Sequence, residues 1–276
     1  MPEYLRPHRL EEALGVLQRP FTVLAGGTDF YPARVGRSID EDVLDISAIA
    51  DLRGIARGTA GWRLGATTTW SELIAADLPP AFDGLKQAAR EVGGRQIQNA
   101  GTIAGNLCNA SPAADGVPPL LALGAEVEIA SRAGSRRVSL ATFITGNRRT
   151  VLMPGELVVA IHVPEPAHPA KSAFLKLGAR RYLVISIVMA AATLEISDGR
   201  IVSARVAVGA CSAVAQRLPA LEAALAGAAL DAGLGSKVEP GHLAPLAPID
   251  DVRGSAGYRT DASLTVLRRL LQGFAP

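Results

Sequence analysis

The feature that most constrains the fold is a stretch of small and polar residues, 96–115, placed between segments of ordinary core composition. It is rich in Gly, Asn, Ser and Ala, and it keeps neither the 3.6-residue period of a helix nor the alternation of a strand. A long loop of this kind inside a compact domain is usually functional, because small residues leave room for a ligand. The sequence therefore predicts a loop without regular secondary structure here, of a kind that is usually functional.

Within this stretch, Gly101–Asn106 reads Gly-Thr-Ile-Ala-Gly-Asn. Thr102 and Asn106 offer hydrogen-bond donors, and Asp115 offers a fixed acceptor for a ribose hydroxyl or an adenine amino group. The alternative interpretation is a tight loop held together by its own Asn and Asp side chains. The residues by themselves leave both interpretations open.

A second glycine-rich segment follows the short apolar run Phe21–Leu24 and reads Ala25-Gly26-Gly27-Thr28-Asp29. Adjacent glycines let a backbone approach a ligand and direct successive N–H groups into one concavity, which suits a phosphate or pyrophosphate. A carboxylate repels phosphate, so Asp29 must turn away or accept backbone N–H groups. An ordinary strand–helix turn is the alternative. Neither loop has the spacing of a Rossmann fingerprint or a P-loop lysine.

The remaining pattern predicts alternating helices and strands. Thr69-x-x-Glu72 is a capping box, and the turn Ser197-Asp198-Gly199 joins two apolar runs into a hairpin. Three prolines in 164–169 indicate a domain boundary. Helices are predicted at 8–18, 69–76, 84–92, 218–230 and from 261 onward, strands at 21–24, 43–46, 62–66, 157–163, 186–196 and 203–209, and a loose linker at 233–248.

Composition excludes several classes of protein. Only 4% of residues are aromatic and the net charge is +2, which argues against nucleic-acid binding. Two cysteines, Cys108 and Cys211, are too few for a disulfide framework, a four-thiolate iron–sulfur cluster or a Cys-rich zinc site, and predict reduced thiols in the cytoplasm. We see no secretion leader, and the longest apolar run, Val184–Leu194, is too short to span a membrane.

The motifs quoted above, together with four longer strings, resemble the FAD-binding medium subunits of molybdenum hydroxylases, the family of carbon monoxide and xanthine dehydrogenases. The resemblance covers essentially the whole chain, and its long central string is highly specific. The strings are LAGGTDFYPAR at 24–34, GGRQIQNAGTIAGNLCNASPAADGVPPLLALGAEVEI at 93–129, FLKLGARRY at 174–182 and RGSAGYR at 253–259.

The resemblance implies an α+β fold: a two-subdomain FAD-binding fold of the vanillyl-alcohol-oxidase type at 1–166 (roughly 1–55 and 56–166), and a small C-terminal α+β domain at 167–276. It implies that FAD lies between the subdomains, with its pyrophosphate on both glycine loops. Carried over residue by residue, the expected cofactor contacts are Ala25, Gly26, Gly27, Thr28, Asp29, Phe30, Thr102, Ile103, Ala104, Gly105, Asn106, Asp115, Val158 and Lys176. Of these, Val158 matches an apolar wall and Lys176 a basic residue near the flavin. Ala104 departs from the family, which usually has glycine there, and so does Val184, where an acidic residue is frequent.

The resemblance also implies a relay. A large molybdopterin-binding partner subunit oxidises the substrate, a small [2Fe–2S] partner subunit carries the electrons, and FAD on this chain passes them to an external acceptor. None of His8, His162, His168 and His242 lies in a motif for flavin attachment or metal binding, so we expect non-covalent FAD and no metal. Two alternatives stay open: a stand-alone flavin reductase of the same superfamily, such as the one that makes UDP-N-acetylmuramate, and a scaffold subunit that has lost flavin.

Overall fold

The structure, a computed structural model, describes residues 2–181 and 183–275; Tyr182, the last residue of one family string, lies outside them. The strands are β1 Tyr4–Leu5, β2 Thr22–Leu24, β3 Val43–Asp45, β4 Ile55–Gly58, β5 Gly61–Gly65, β6 Glu126–Ser131, β7 Gly134–Ser139, β8 Ile144–Gly146, β9 Arg149–Thr150, β10 Leu157–Pro164, β11 Ala170–Leu177, β12 Val188–Ser197, β13 Arg200–Gly209 and β14 Gln216–Arg217. The α-helices are α1 Leu10–Val16, α2 Trp70–Ala75, α3 Asp83–Glu91, α4 Arg95–Ala100, α5 Ile103–Asn109, α6 Val117–Ala122, α7 Leu140–Phe143, α8 Pro219–Leu225 and α9 Ala256–Gln272. The α+β prediction is confirmed.

The first sheet is parallel, in the order β1-β3-β2. Its central strand β3 is buried along its whole length, and Leu44 packs with Leu14 of α1 in a core that also takes Leu157 from β10. This shared core fixes the first sheet against the next part of the chain. Because β2 ends at Leu24, the first glycine loop leaves the sheet directly from the end of a strand.

The second sheet is antiparallel, in the order β4-β5-β10-β6-β7. Its central strand β10 is apolar and buried from Leu157 to Ile161, and the register shifts between Val158 and Ala160 where it pairs with β6. Helix α2 packs on this unit through Trp70, and its predicted capping box is present: Thr69 Oγ1 accepts a hydrogen bond from Glu72 N, and Glu72 accepts one from Thr69 N at 2.8 Å. The cap satisfies two backbone donors that a helix start leaves free.

The third sheet is antiparallel, in the order β11-β12-β13-β14. Strand β12 has no polar face over most of its length because both of its faces are covered. Val188 and Ala190 pack in the core formed with α9, whereas Met189 and Ala191 pack against α3 and α6. The predicted hairpin between β12 and β13 is confirmed: Asp198 and Gly199 both have positive φ (+50° and +71°), as a two-residue turn of the I′ kind requires.

The three larger sheets use successive stretches of chain, and the small sheet β8-β9 lies between two strands of the second. Strand β3 ends at Asp45 and β4 begins at Ile55; β10 ends at Pro164 and β11 begins at Ala170. We propose that the domains divide as the sequence predicted, at about 55 and 166, since each interval separates strands of different sheets.

Several local predictions were wrong. Residues 96–115 are not structureless, since α4 and α5 lie within them; helices of six and seven residues are too short to show a period. Helix α8 stops at Leu225, before Gly227, which has φ +77°. Helix α9 begins five residues earlier than predicted, because Ser255 accepts a hydrogen bond from Tyr258 N and caps it. The predicted linker 233–248 contains two 3₁₀ turns, Leu234–Lys237 and Pro240–Leu243.

Candidate functional site

The two glycine loops meet at one cavity of about 590 Å³, a volume typical of ligand sites. The cavity lies where the end of β2, the start of α5 and the start of β10 come together. Most of the predicted contact residues line it: Ala25, Gly26, Gly27, Thr28, Asp29, Phe30, Thr102, Ala104, Gly105, Asn106 and Val158. Sequence positions more than 130 residues apart are thus brought to one concave surface.

The first loop is shaped by its two glycines. A Cβ on Gly26 would lie 1.9 Å from the carbonyl oxygen of Ala100, so only glycine lets this loop touch the end of α4. Gly27 has φ +70°, and a Cβ there would lie 2.6 Å from the Tyr31 ring. The loop turns back at once, since Tyr31 N donates to the carbonyl oxygen of Gly27 at 3.1 Å.

This turn leaves backbone donors free. Among the described residues, no oxygen accepts a hydrogen bond from the N–H of Gly26, Gly27, Thr28 or Asp29. These residues line the cavity, so their N–H groups are available to a bound group. Unpaired backbone N–H groups on a concave surface favour an anion such as a phosphate.

The second loop is the first turn of α5 and the residues before it. Thr102 Oγ1 accepts a hydrogen bond from Gly105 N at 3.0 Å, and Asn106 Oδ1 accepts one from Gly116 N at 3.2 Å. Both side chains therefore hold the loop, as the alternative sequence interpretation expected. A Cβ on Gly105 would lie 2.7 Å from Thr102 Oγ1, so this turn also needs a glycine.

Two other residues of the second loop behave differently. Ile103 is fully buried in the core and does not line the cavity, so its predicted contact has no support in the geometry. Ala104 lines the cavity and has helical backbone without a positive φ. The alanine that replaces the family's glycine is therefore compatible with the backbone.

Asp115 and Lys176 do not line the cavity; they form a buried ion pair with each other. Lys176 Nζ lies 2.7 Å from Asp115 Oδ2, and Ser186 Oγ donates to Asp115 Oδ1 at 2.7 Å. The Lys176 side chain is 4% exposed. Burial raises the pKa of the Asp115 carboxyl, and the neighbouring ammonium opposes that shift. That either residue contacts FAD stays a prediction.

Sequence reasoning found the charged side chain of Asp29 but missed three others that line the cavity: Arg34, Arg148 and Glu156. Arg34 stacks on the ring of Phe30 at 3.8 Å from its centroid and donates from Nε to Glu41 at 2.5 Å. Arg34 is the last residue of the LAGGTDFYPAR string, so the family motif could have indicated it. Arg148 lies far from both loops in sequence, and no local pattern indicates it.

Glu156 faces the cavity with its charge already compensated. Its carboxylate accepts two hydrogen bonds from Arg136, at 2.8 and 2.7 Å. The hydrogen bonds from this guanidinium hold the pKa of Glu156 below its usual value.

Cys108 also lines the cavity and is exposed there. The protein atoms around its thiol raise the pKa of that thiol, so it stays protonated at neutral pH. Among residues 2–181 and 183–275, no group of three or more His, Cys, Asp or Glu side chains is placed to hold a metal ion. No helix in the same part of the chain is long and apolar enough to cross a membrane.

Two domain families match the sequence. Residues 1–166 match the FAD binding domain in molybdopterin dehydrogenase, and residues 173–274 match the CO dehydrogenase flavoprotein C-terminal domain. The chain belongs to the FAD-binding medium subunits of molybdenum hydroxylases. The resemblance found in the sequence is thereby confirmed, and the cofactor of this medium subunit is FAD.

Known relatives of this medium subunit are similar to it along nearly its whole length. It is 32% identical to the carbon monoxide dehydrogenase medium chain of Afipia carboxidovorans, over 98% of this chain and 95% of that one. It is 30% identical to the xanthine dehydrogenase FAD-binding subunit of Escherichia coli O157:H7, over 97% and 94%. Reconstituted CO dehydrogenase from Oligotropha carboxidovorans superimposes with a TM-score of 0.90, at 29% identity, over 100% of this chain and 99% of that one.

The residues of the cavity fit FAD. The free N–H groups of the first loop suit the pyrophosphate, and residues of both glycine loops line the cavity. The chain is therefore a flavoprotein subunit of an oxidoreductase of the dehydrogenase type.

Proposed function

We propose that this chain is the electron relay of a three-part molybdenum hydroxylase. It holds FAD without a covalent bond, accepts electrons from the [2Fe–2S] clusters of a small partner subunit and passes them to an external acceptor. A large molybdopterin-binding partner subunit oxidises the organic substrate. The observation that carries this proposal is the single cavity that both glycine loops line.

Different residues of the cavity bind different parts of FAD in this proposal. The N–H groups of Gly26, Gly27, Thr28 and Asp29 hold the pyrophosphate, and Ala104 and Gly105 leave room beside it. Val158 supplies an apolar wall from β10. Bound FAD supplies the redox chemistry, because it takes up electrons singly or in pairs, while the protein supplies position and polarity.

Asp115 and Lys176 act in this proposal as a buried charge pair next to the cofactor site. Asp115 is one residue from Gly116, whose N–H is bound by Asn106 of the second loop. The pair therefore positions the second loop from behind, and direct contact of either residue with FAD stays a prediction of the family resemblance.

Non-covalent binding is supported by the nucleophiles at the cavity. Among the described residues no histidine lines the cavity, and the raised pKa of the Cys108 thiol disfavours its attack on the flavin ring. We also assign the chain to the cytoplasm, since both cysteines are free thiols.

The partners follow from what this chain can ligate. Its two cysteines, of which Cys211 is buried in the C-terminal core, are fewer than the four ligands of a [2Fe–2S] cluster. Clusters that feed the flavin must then lie on another chain. The names of the relatives support this, since they are medium chains and FAD-binding subunits of dehydrogenases.

The test compares the isolated chain with the chain plus its co-expressed partner subunits. Alone, we expect a visible flavin spectrum that dithionite bleaches and that aldehydes, purines and N-heterocycles leave unchanged. With the large and small subunits added, a substrate of the complex should bleach it. Substrate-driven bleaching of the isolated chain would favour the stand-alone reductase, and a purified chain that binds no FAD would favour the scaffold.

A further inference from the structure

Among the residues that the structure describes, four charged side chains line the cavity, and two of them are compensated by residues outside it. Arg34 is bound to Glu41, and Glu156 is bound to Arg136. The other two, Asp29 and Arg148, are bound to each other inside the lining. The balance of charge that a bound pyrophosphate meets therefore depends on this pair.

The pair joins separate parts of the site. Arg148 Nη1 lies 2.6 Å from Asp29 Oδ2, and Nη2 lies 3.4 Å from Asp29 Oδ1. Nη1 also donates to the side-chain oxygen of Asn109. Asp29 belongs to the first glycine loop, whereas Asn109 ends α5, the helix that starts with the second. One guanidinium thus ties the two loops together at the cavity.

Backbone geometry fixes the position of Arg148. It lies in the turn between β8 and β9 with φ +57°, and its N–H donates to the carbonyl oxygen of Ala110 at 2.9 Å. Ala110 itself has φ +46°. Left-handed backbone is unfavourable for residues other than glycine, and here each of the two residues supports the other. The guanidinium is therefore directed into the cavity by the turn that carries it.

Asp29 raises a problem for phosphate binding that Arg148 resolves. A carboxylate beside the donor N–H groups of the first loop would repel a pyrophosphate. The sequence left open that the Asp29 side chain accepts backbone N–H groups; among the described residues it instead binds Arg148. The guanidinium binds the carboxylate and offsets its charge.

We propose that Arg148 is a positioning residue for FAD, which neutralises Asp29 and clamps the two glycine loops. This inference rests on the proposed placement of the pyrophosphate on the first loop. A simpler role for Arg148 would be a direct contact with the phosphate. The two roles can be distinguished, because removing the charge of Asp29 restores the binding lost with Arg148 only if Arg148 acts by neutralising Asp29.

The experiment titrates FAD into the deflavinated chain and measures flavin dissociation constants and release rates for Arg148→Met, Asp29→Asn and the double variant. Methionine keeps an unbranched, flexible side chain but removes the guanidinium and its charge. We expect Arg148→Met to weaken FAD binding about three- to tenfold at low salt, the scale of one partly solvated charge interaction. The double variant should bind FAD nearly as well as Asp29→Asn. In 1 M salt the defect of Arg148→Met should shrink, since the screening length falls to about 3 Å.

The matched control is Arg57→Met, which breaks the exposed Arg57–Glu165 pair (3.0 Å) outside the cavity lining and should leave FAD binding unchanged. Circular dichroism and melting temperature of the ligand-free variants show whether each one folds. A double variant as weak as Arg148→Met, or an Arg148→Met variant with normal affinity, overturns the inference. Failure of the unsubstituted chain to bind FAD would instead overturn the proposed function.

Discussion

The ammonium of Lys176 on β11 lies 2.7 Å from the carboxylate of Asp115, which precedes α6. The two residues belong to the two matched domain families, so the ion pair links the FAD-binding part of the chain to its C-terminal part. Ser186 and the carbonyl oxygen of Glu91 complete the surroundings of the pair. The link runs directly behind the second glycine loop, because Asn106 binds the N–H of Gly116.

Removing the cation of this pair should destabilise the ligand-free chain. We expect Lys176→Met to cost about 3–5 kcal/mol, or roughly 10 °C in melting temperature, because it leaves a buried carboxylate unpaired. Lys176→Met combined with Asp115→Leu should recover most of the loss. If Lys176→Met melts at the same temperature as the unsubstituted chain, the ion pair does not stabilise the contact between the two parts of the chain.

The loss in Lys176→Met should also depend on pH. Burial raises the pKa of Asp115, and without Lys176 nothing but Ser186 opposes that shift. Asp115 of the folded variant then keeps a proton that the unfolded chain has released. The stability of the variant therefore falls as the pH rises above the pKa of Asp115 in the unfolded chain. Melting temperatures between pH 5 and 8 check the sign: the gap to the unsubstituted chain should widen toward pH 8.

The glycines of the cavity should be needed for flavin rather than for folding. We expect Gly27→Val and Gly105→Val to lose FAD, because a branched side chain fills space at the loops and meets Tyr31 or Thr102. Gly36→Val is the control for backbone strain at position 27, since Gly36 has φ +75° but open space around its Cβ. Flavin content and circular dichroism are measured together, and full flavin occupancy in both loop variants would refute the phosphate assignment.

Flavin should leave the chain on denaturation. In the described part of the chain the cavity is lined by the protonated thiol of Cys108 and by no histidine, so we expect acid or heat to release all FAD into the supernatant. The measurement is the flavin absorbance of supernatant and pellet after precipitation. Flavin that stays with the precipitated protein would identify a covalent bond and contradict this prediction.

The stability of the C-terminal part of the chain should depend on pH in the acid range. The N–H of Arg253 and then the Arg259 side chain hold the pKa of Asp251 at about 2, below the value of 3.8 for a free carboxyl. The ionised carboxylate therefore stabilises the fold above about pH 4, and this contribution is lost as the pH falls toward 2. Asp251→Asn should lower the melting temperature at pH 7, and the difference from the unsubstituted chain should disappear near pH 2. A gap that stays constant with pH would contradict the assignment.

Local sequence signals predicted those elements whose cause is local. The capping box at Thr69 and the Asp198-Gly199 turn are formed by neighbouring residues and appear where they were expected. The short helices α4 and α5 were not predicted, because a helix of six or seven residues is too short to show a hydrophobic period. The start of α9 was not predicted for a related reason: its first turn, Ala-Gly-Tyr-Arg, has no apolar stripe, and the cap at Ser255 determines where it begins.

The sequence by itself determined the family, the α+β class and the identity of the glycine loops, since these depend on residue types at fixed spacing. Tertiary structure alone decided which side chains share the cavity. It placed Ile103 in the core, buried Asp115 with Lys176 behind the loop and brought Arg148 to Asp29 across 119 positions. Such contacts depend on how sheets and loops pack against one another, and no spacing along the chain encodes them.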